Sequence, residues 1–338
     1  FISSENGIAL QNPFAAAYLA QPYQSLRDED GFLITGPGFV GGNSLEELLV
    51  NGNNNQQVKI IAQGFFETAV MKNISFRTDL GIDYSQDNFI DYSDPATYYG
   101  GIVTPGNEGD YGESNNYNSR ITATNKLQWA NVYDDVHSVD VSLFTEYYKQ
   151  NFRSSSMRGY GINPLLVGYP AGITPGTPEN ELIPVVGGSK VVRGLFSAFA
   201  IANYDYDSKL GFSASIRRDA SSKFSDDNQW GTFYSLAGRW NISKEDFMKD
   251  VSYVDNLKLR ASYGTAGNQA AVADYAAETQ YGQLSYGGVT GIGVAAIGNP
   301  ELKWETAQMF NVGVDFDLLI TKYLVLLNTT TIKQLIFL

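Results

Sequence analysis

The chain has no cysteine and a single histidine, His137. Without cysteine there is no disulfide framework, no thiolate metal site and no thiol nucleophile. With one histidine a His-rich metal site is excluded, and a Ser-His-Asp triad would have to use His137. That residue opens the alternating run "HSVDVSLFTEYY" with no triad-type motif around it, and it reads as a strand-end surface residue. Basic residues are also short: 23 Lys and Arg against 36 Asp and Glu leave a net charge of -13. A duplex nucleic acid needs a basic face to neutralise its phosphates, so no nucleic-acid partner is expected. No apolar run reaches about 18 residues, so the sequence holds no candidate membrane-spanning helix. The first residues, "FISSENGIAL", show no initiator Met, no basic n-region and no cleavage site, which reads as a processed chain or a piece of a longer one.

What the chain has in excess is aromatic and turn-forming residues: 22 Tyr, 19 Phe and 34 Gly in 338 positions. That mixture favours β-structure with many turns. The hydrophobic period is two in most segments. In 74–84, Ile74, Phe76, Leu80, Ile82 and Tyr84 share one parity, and Arg77, Asp79 and Asp83 share the other. The same split recurs in "SRITATNKLQW", "LGFSASIR", "LKLRASY" and "FNVGVDF". Ten strands are predicted, at 58–70, 74–84, 117–130, 137–152, 192–206, 210–220, 230–242, 257–264, 306–317 and 323–337. Several exceed the ordinary strand length of about 5–6 residues and reach the roughly 9–11 that a tilted membrane-spanning strand needs.

The connections alternate in length. Those at 71–73, 131–136, 207–209, 243–256 and 318–322 are short or moderate. Those at 85–116, 153–191, 221–229 and 265–305 are mostly long. An up-and-down antiparallel sheet places alternate connections at opposite ends, and outer-membrane barrels pair short turns at one end with long loops at the other. The apolar parity carries almost no charge, Arg218 excepted. Aromatics gather at predicted strand ends: Trp129, Tyr204, Tyr206 and Trp240 near short turns, Tyr84, Trp230 and Tyr263 near long loops. Such girdles mark lipid–water boundaries. The alternative reading of each aromatic is a sandwich core residue. Phe212 falls on the apolar parity, so Phe212→Arg should cost about 2–4 kcal/mol near a bilayer midplane.

Other motifs carry less. "GPGFVG" matches G-x-G-x-x-G at Gly36, Gly38 and Gly41, and "NSLEELL" after it could be a short helix with Ser44 and Glu47 as a capping box. The nearest acidic residue, Glu67, comes late and β-pattern follows, so the segment reads as a Gly-rich loop and not as a nucleotide site. "RDEDG" (27–31) and "SDDN" (225–228) lack EF-hand spacing and read as solvated loop charge. Paired carboxylates for glycoside hydrolysis have no sequence signature. No P-loop, lipase elbow or metalloprotease motif is present, and no metal, cofactor or catalytic residue is assigned.

The stretch "YDYDSKLGFSASIRRDASSKFSDDNQWGTFYSLAGRWNISKEDFMKD", then "LKLRASYGTAGNQ", then "NPELKWETAQMFNVGVDF", closely resembles the barrel of SusC/RagA-type TonB-dependent transporters of the Bacteroidetes outer membrane. "NPFAAAYLAQPYQSLRDEDG" is similar to a loop of that family. The resemblance is strong over 190–317 and fainter over 1–190. It implies an all-β, up-and-down antiparallel transmembrane β-barrel of about 22 strands. Residues 1–338 would hold about ten of them as one partial barrel domain, without the plug and the closing strands. It implies import of a glycan or oligopeptide energised by TonB. The implied partners are a SusD-like surface lipoprotein as lid, the TonB complex through an N-terminal part outside this chain, outer-membrane lipid, and a possible dimer of transporter–lipoprotein pairs. Aromatic rings in the outer loops can stack on a sugar, which makes Tyr98, Tyr99, Tyr111, Tyr160, Tyr169, Tyr281 and Tyr286 candidate substrate contacts. Other readings of the pattern are a passive porin or surface adhesin on the same barrel, and a soluble β-rich enzyme. The final stretch, "TKYLVLLNTTTIKQLIFL", departs from the family's aromatic, polar strand, which leaves the register of 321–338 open.

Overall fold

The computed structural model describes residues 23, 25–35, 43–102, 108–318 and 323–335. Within them the alternating segments form strands β1 (Gly52–Met71), β2 (Ile74–Ser93), β3 (Asp110–Tyr133), β4 (His137–Tyr160) and β5 (Val185–Tyr206). Then follow β6 (Leu210–Ser221), β7 (Trp230–Asn241), β8 (Val254–Asn268), β9 (Gln280–Tyr286), β10 (Val289–Ala296), β11 (Glu305–Leu318) and β12 (Tyr323–Leu335). Two short helices, α1 (Ser44–Leu49) and α2 (Tyr98–Ile102), lie among them. Ten strands form one sheet in the order β1-β2-β3-β4-β5-β6-β7-β8-β11-β12, and β9 and β10 form a separate two-stranded sheet. All pairs with described register are antiparallel. Sequential order with neighbour pairing is the up-and-down topology that the alternation predicts.

Two features correct the sequence reading. Residues 265–305, read as one loop, contain the β9–β10 hairpin. The strands next to the longer loops also extend further: β3 and β4 run for 24 residues each, well past the predicted limits at 117 and 152. The G-x-G-x-x-G segment at 36–41, and most of "NPFAAAYLAQPYQSLRDEDG", lie outside the described residues. At α1 it is Asn43 that serves the first turn: its Oδ1 accepts the Leu45 amide at 3.0 Å.

The chain divides into two compact units. One takes the described residues of Phe1–Ile60, Asp83–Ser119 and Asn151–Val191; the other takes Ile61–Ile82, Arg120–Gln150 and Val192–Leu338. In the second unit the short turns follow from their residues. Asp134 and Asp135 adopt φ of 50° and 56°, and Asp207 and Ser208 adopt 48° and 55°. Two consecutive positive φ values define the type I′ hairpin, which Asp and Asn tolerate best. Adjacent turns are stitched together: the Ala130 amide donates to Asn73 O at 3.0 Å, Asp207 to Val136 O at 2.7 Å and Asn241 to Lys209 O at 2.7 Å.

The register places the apolar parity in continuous rows. Tyr206, Leu210, Trp240, Leu259, Val314 and Leu327 form one row across six strands. Ala202, Ala214, Leu236, Tyr263 and Phe310 form another. Most of these side chains are exposed or half-exposed, Leu236 at 58 %, and Phe212 in the row between the two is 56 % exposed. An apolar face left open over this many strands is a surface made for hydrocarbon or a partner, not for water. The last strand is settled at Val314↔Leu327 and Phe310↔Thr331. That register puts Thr329, Thr331 and Lys333 on the apolar parity, which is why clean alternation is lost there.

Candidate functional site

The polar face of the second unit is a wall of paired charges. Arg217, from the run that contains "SIRRDASSKF", donates from Nε to Asp219 at 2.7 Å and from its amino group to Glu146 at 3.1 Å and Ser197 at 2.8 Å. Its guanidinium lies 4.7 Å from the Phe199 ring centre. Phe199 stacks on Phe144 at 4.5 Å, and the Lys126 ammonium lies over the Phe144 ring at 5.9 Å. Arg239 and Arg260 stand directly opposite each other on β7 and β8. Like charges in that position repel, and each is drawn to a different carboxylate. Arg260 grips Asp315 at 2.9 and 2.5 Å with Lys258 nearby at 3.7 Å, and Arg239 reaches over Gly211 to Asp205. A Cβ on Gly211 would stand 2.7 Å from Arg239 Nε, so only glycine leaves that path open. Between the charges run hydroxyl and amide contacts, Ser215 to Ser235 at 2.7 Å and Ser213 to Asn203 at 2.8 Å. The wall is polar and near charge balance.

At the loop end of the same unit an apolar knot forms. Phe224, Phe233 and Trp304 are buried, with Leu195, Val272 and Leu302 packed around them. Trp304 Nε1 donates to Gln229 O at 2.9 Å, and Lys223 Nζ caps the carbonyls of Gln269 and Val272 at 3.2 and 2.6 Å. Arg193 holds Asp274 by two bonds of 2.6 Å. That hydrogen bonding holds the Asp274 carboxyl below the usual carboxylate range. The pair therefore stabilises the loop at neutral pH and loses its effect as pH falls through the depressed value. Asp274→Asn should loosen 269–280 already at neutral pH, seen as faster hydrogen exchange there, and should abolish the acid-dependent loosening of the parent.

The predicted tyrosines fall into two groups. Tyr99 and Tyr111 are each only 2 % exposed. Tyr111 donates to Glu113 at 3.2 Å, and Tyr99 meets Tyr98 edge-on at 5.5 Å. As placed, these two rings are packed and not presented at the surface. Tyr98 in α2 and Tyr160 at the end of β4 are half-buried. Tyr169 is 65 % exposed, and Tyr281 and Tyr286 on the hairpin are 69 % and 92 % exposed. The hairpin was legible after all: "YGGV" puts Gly287 and Gly288 at φ of 58° and 79° between two alternating runs, the two-glycine turn signal. The knot was not, since its parts lie about 70–80 positions apart in sequence.

The girdle residues divide as well. Tyr206 and Trp240 share the row next to the short turns, and Tyr204 precedes them by one row. Tyr204 bonds His137 Nδ1 at 2.8 Å, and Trp240 Nε1 donates to Glu245 at 2.9 Å. Trp129, half-buried, lies four positions before the end of β3 at the same turn end, and Tyr84, also half-buried, lies within β2. Trp230 opens β7 under the Arg218 guanidinium, 4.7 Å away. Trp230 and Trp240 are ten positions apart on β7. At about 3.3 Å per residue that is about 33 Å along the strand, or about 25 Å after a tilt near 40°, the height of an outer-membrane apolar band. Tyr263 is the exception. It shares a row with Leu236, inside the band, and its ring lies 6.2 Å from that of Tyr234. Phe212 sits one row from Trp240, near the edge and not at the midplane.

Of the acidic groups, Asp28 in "RDEDG" accepts the amides of Asp30 and Phe32 at 3.0 and 2.8 Å and so shapes its own turn. Among the described residues no group of three or more potential metal-ligating side chains converges.

Residues 11–325 match the family model for the TonB dependent receptor-like β-barrel. The chain belongs to this family. It is 27 % identical over 332 residues to TonB-dependent receptor P39 of Formosa agariphila, covering 93 % of this chain and 29 % of that protein. It is 38 % identical over 132 residues to TonB-dependent receptor SusC of Bacteroides thetaiotaomicron, covering 37 % of this chain and 13 % of that one. The solved RagAB peptide importer in its closed-closed state superposes with a TM-score of 0.78 at 19 % identity, over 91 % of this chain and 34 % of that one. The chain thus spans about a third of the relatives it matches along its length. It is a SusC/RagA-type outer-membrane chain, of a family that transports and does not catalyse. In an outer-membrane chain, exposed apolar rows of this kind suit lipid and a polar wall suits water.

Proposed function

We propose that the whole protein imports a glycan or an oligopeptide across the outer membrane, driven by TonB, with a SusD-like surface lipoprotein as lid. The match of 11–325 to the receptor barrel carries this reading. The charge-paired interior wall supports it, because a polar solute can pass such a wall without meeting an uncompensated ion. The exposed rings of Tyr169, Tyr281 and Tyr286 are the proposed first contacts. Tyr98 and Tyr160 remain secondary candidates. A barrel of about 22 strands, closed by chain beyond these ten, belongs to the same proposal.

The test is uptake by cells carrying the full-length protein. Labelled oligosaccharide or oligopeptide should accumulate only with an intact TonB complex and the partner lipoprotein. Accumulation that survives loss of TonB would mark a passive porin and overturn the proposal. Tyr281→Ala and Tyr286→Ala should each weaken uptake about 2- to 10-fold, since a ring contact contributes about 0.5–1.5 kcal/mol. Unchanged uptake would remove the hairpin from the binding surface.

A further inference from the structure

The lipid-facing surface has a trough of about 590 Å³, within the roughly 300–1,000 Å³ range of small-ligand sites. Its cause is residue size. Ala202 and Ala214 on β5 and β6, then Gly238 and Ala261 on β7 and β8, step diagonally across four neighbouring strands. On one side rise Tyr204 and Phe212; on the other rise Leu236, Tyr263 and Phe310. All nine belong to the lipid parity. Asn203, Ser213, Ala237 and Ser262 also border the trough, but they belong to the opposite parity and contribute backbone. No charged side chain lines it. A Cβ on Gly238 would find only the Phe212 ring, at 3.8 Å, so the floor is open and not filled by a neighbour.

We propose that this trough holds an acyl chain of an outer-membrane phospholipid as a fixed part of the protein. The proposal rests on the membrane placement of this face. The trough is continuous with the lipid-facing rows and begins one row from the Trp240 boundary. At that end the Tyr204 hydroxyl is tied to His137, whose ring packs at a tilt against Tyr206, 5.1 Å between centres. The aromatic walls are therefore held upright at the level where a headgroup meets water. Hydrocarbon lying in a shallow apolar depression between ring walls makes more dispersion contacts than it would on a flat face.

The experiment uses the full-length protein extracted from membranes in a mild detergent and exchanged repeatedly. Phospholipid retained per protein is measured by mass spectrometry after organic extraction. The parent should retain phospholipid through the exchange. The double variant Gly238→Leu with Ala261→Leu should lose most of it. Ile216→Leu, on the same face outside the trough, should retain it as the parent does. Heat-modifiable gel mobility reports whether each variant forms its barrel. If the double variant fails that check, Ala261→Val alone replaces it and should lose part of the lipid. Equal retention by parent and filled variant overturns the proposal, as does a parent that retains none. A parent dimer that the double variant converts to monomer, with no lipid difference, overturns it in favour of a second copy. TonB-dependent uptake measured on the same variants keeps this outcome separate from that of the transport proposal.

Discussion

Leu236→Arg should cost about 2–4 kcal/mol of barrel stability, the penalty for a cation on the lipid face near the bilayer midplane. Leu236 lies four positions from Trp240 and six from Trp230 on β7, so it is close to the centre of the band those two residues delimit. Its side chain is 58 % exposed on the apolar row. An arginine there has nearly the longest reach to water that this face imposes. Ser235, the next residue, lies on the polar face, where its hydroxyl meets Ser215 at 2.7 Å. Ser235→Arg should be nearly neutral. Phe212→Arg should fall between, because Phe212 is one row from the boundary and the penalty declines toward about 0–1 kcal/mol at the interface. The three variants of the full-length protein are ranked by the folded fraction on heat-modifiable gels after refolding into lipid vesicles. The order Leu236, Phe212, Ser235 tests both the parity and the depth assigned to β7. Equal yields for Leu236→Arg and Ser235→Arg would show that the two faces have been exchanged.

How much of this was legible depends on which force shaped each segment. Where one face meets lipid and the other water, the period of two is forced, and every one of the ten sheet strands appeared in the sequence. Toward the longer loops both faces are polar. "SQDNFIDYS" and "DYGESNNY" show no alternation, yet they continue β2 and β3. There the strands are held by the backbone ladder and by side-chain contacts such as Asn88 to Glu113 at 3.1 Å and Asn88 to Asn115 at 3.0 Å. Arg158 is bonded to both Asp91 and Asp110 in the same way. No hydrophobic pattern records such contacts. Aromatics posed the converse difficulty. A tyrosine in a sequence can be a girdle residue, a loop contact or a packed ring, and Tyr263, Tyr286 and Tyr111 turn out to be inside the band, exposed and buried respectively. Only the hydroxyl's partner and the depth of the row distinguish them.

Trp304→Ala should cost about 3–5 kcal/mol locally, the usual loss for a buried large aromatic, and should act at the loops without unfolding the membrane band. Trp304 is 8 % exposed and sits 5.2 Å from Phe224 and 5.6 Å from Phe233. Phe233 is held close by two glycines: a Cβ on Gly267 would lie 2.2 Å from its ring and one on Gly231 2.6 Å. The knot therefore has no slack into which neighbours could collapse, and the cavity left by alanine stays open. The Trp304 indole is also one of two donors to Gln229 O, the other being the Ser221 amide at 3.1 Å, so removal costs one hydrogen bond but leaves that carbonyl partnered. Loops 222–229 and 269–304 should become protease-sensitive, while heat-modifiable mobility is retained because the lipid-facing rows are untouched. Trp304→Phe restores most of the volume but not the N–H, and should recover the larger part of the protection. If Trp304→Ala leaves the loops as resistant as the parent, the knot does not hold them. Resistance would then be assigned to the Arg193–Asp274 pair and the Lys223 contacts. If Trp304→Ala abolishes barrel formation as well, loop and wall fold as one cooperative unit, and the hairpin bearing Tyr281 and Tyr286 is as rigid as the sheet itself.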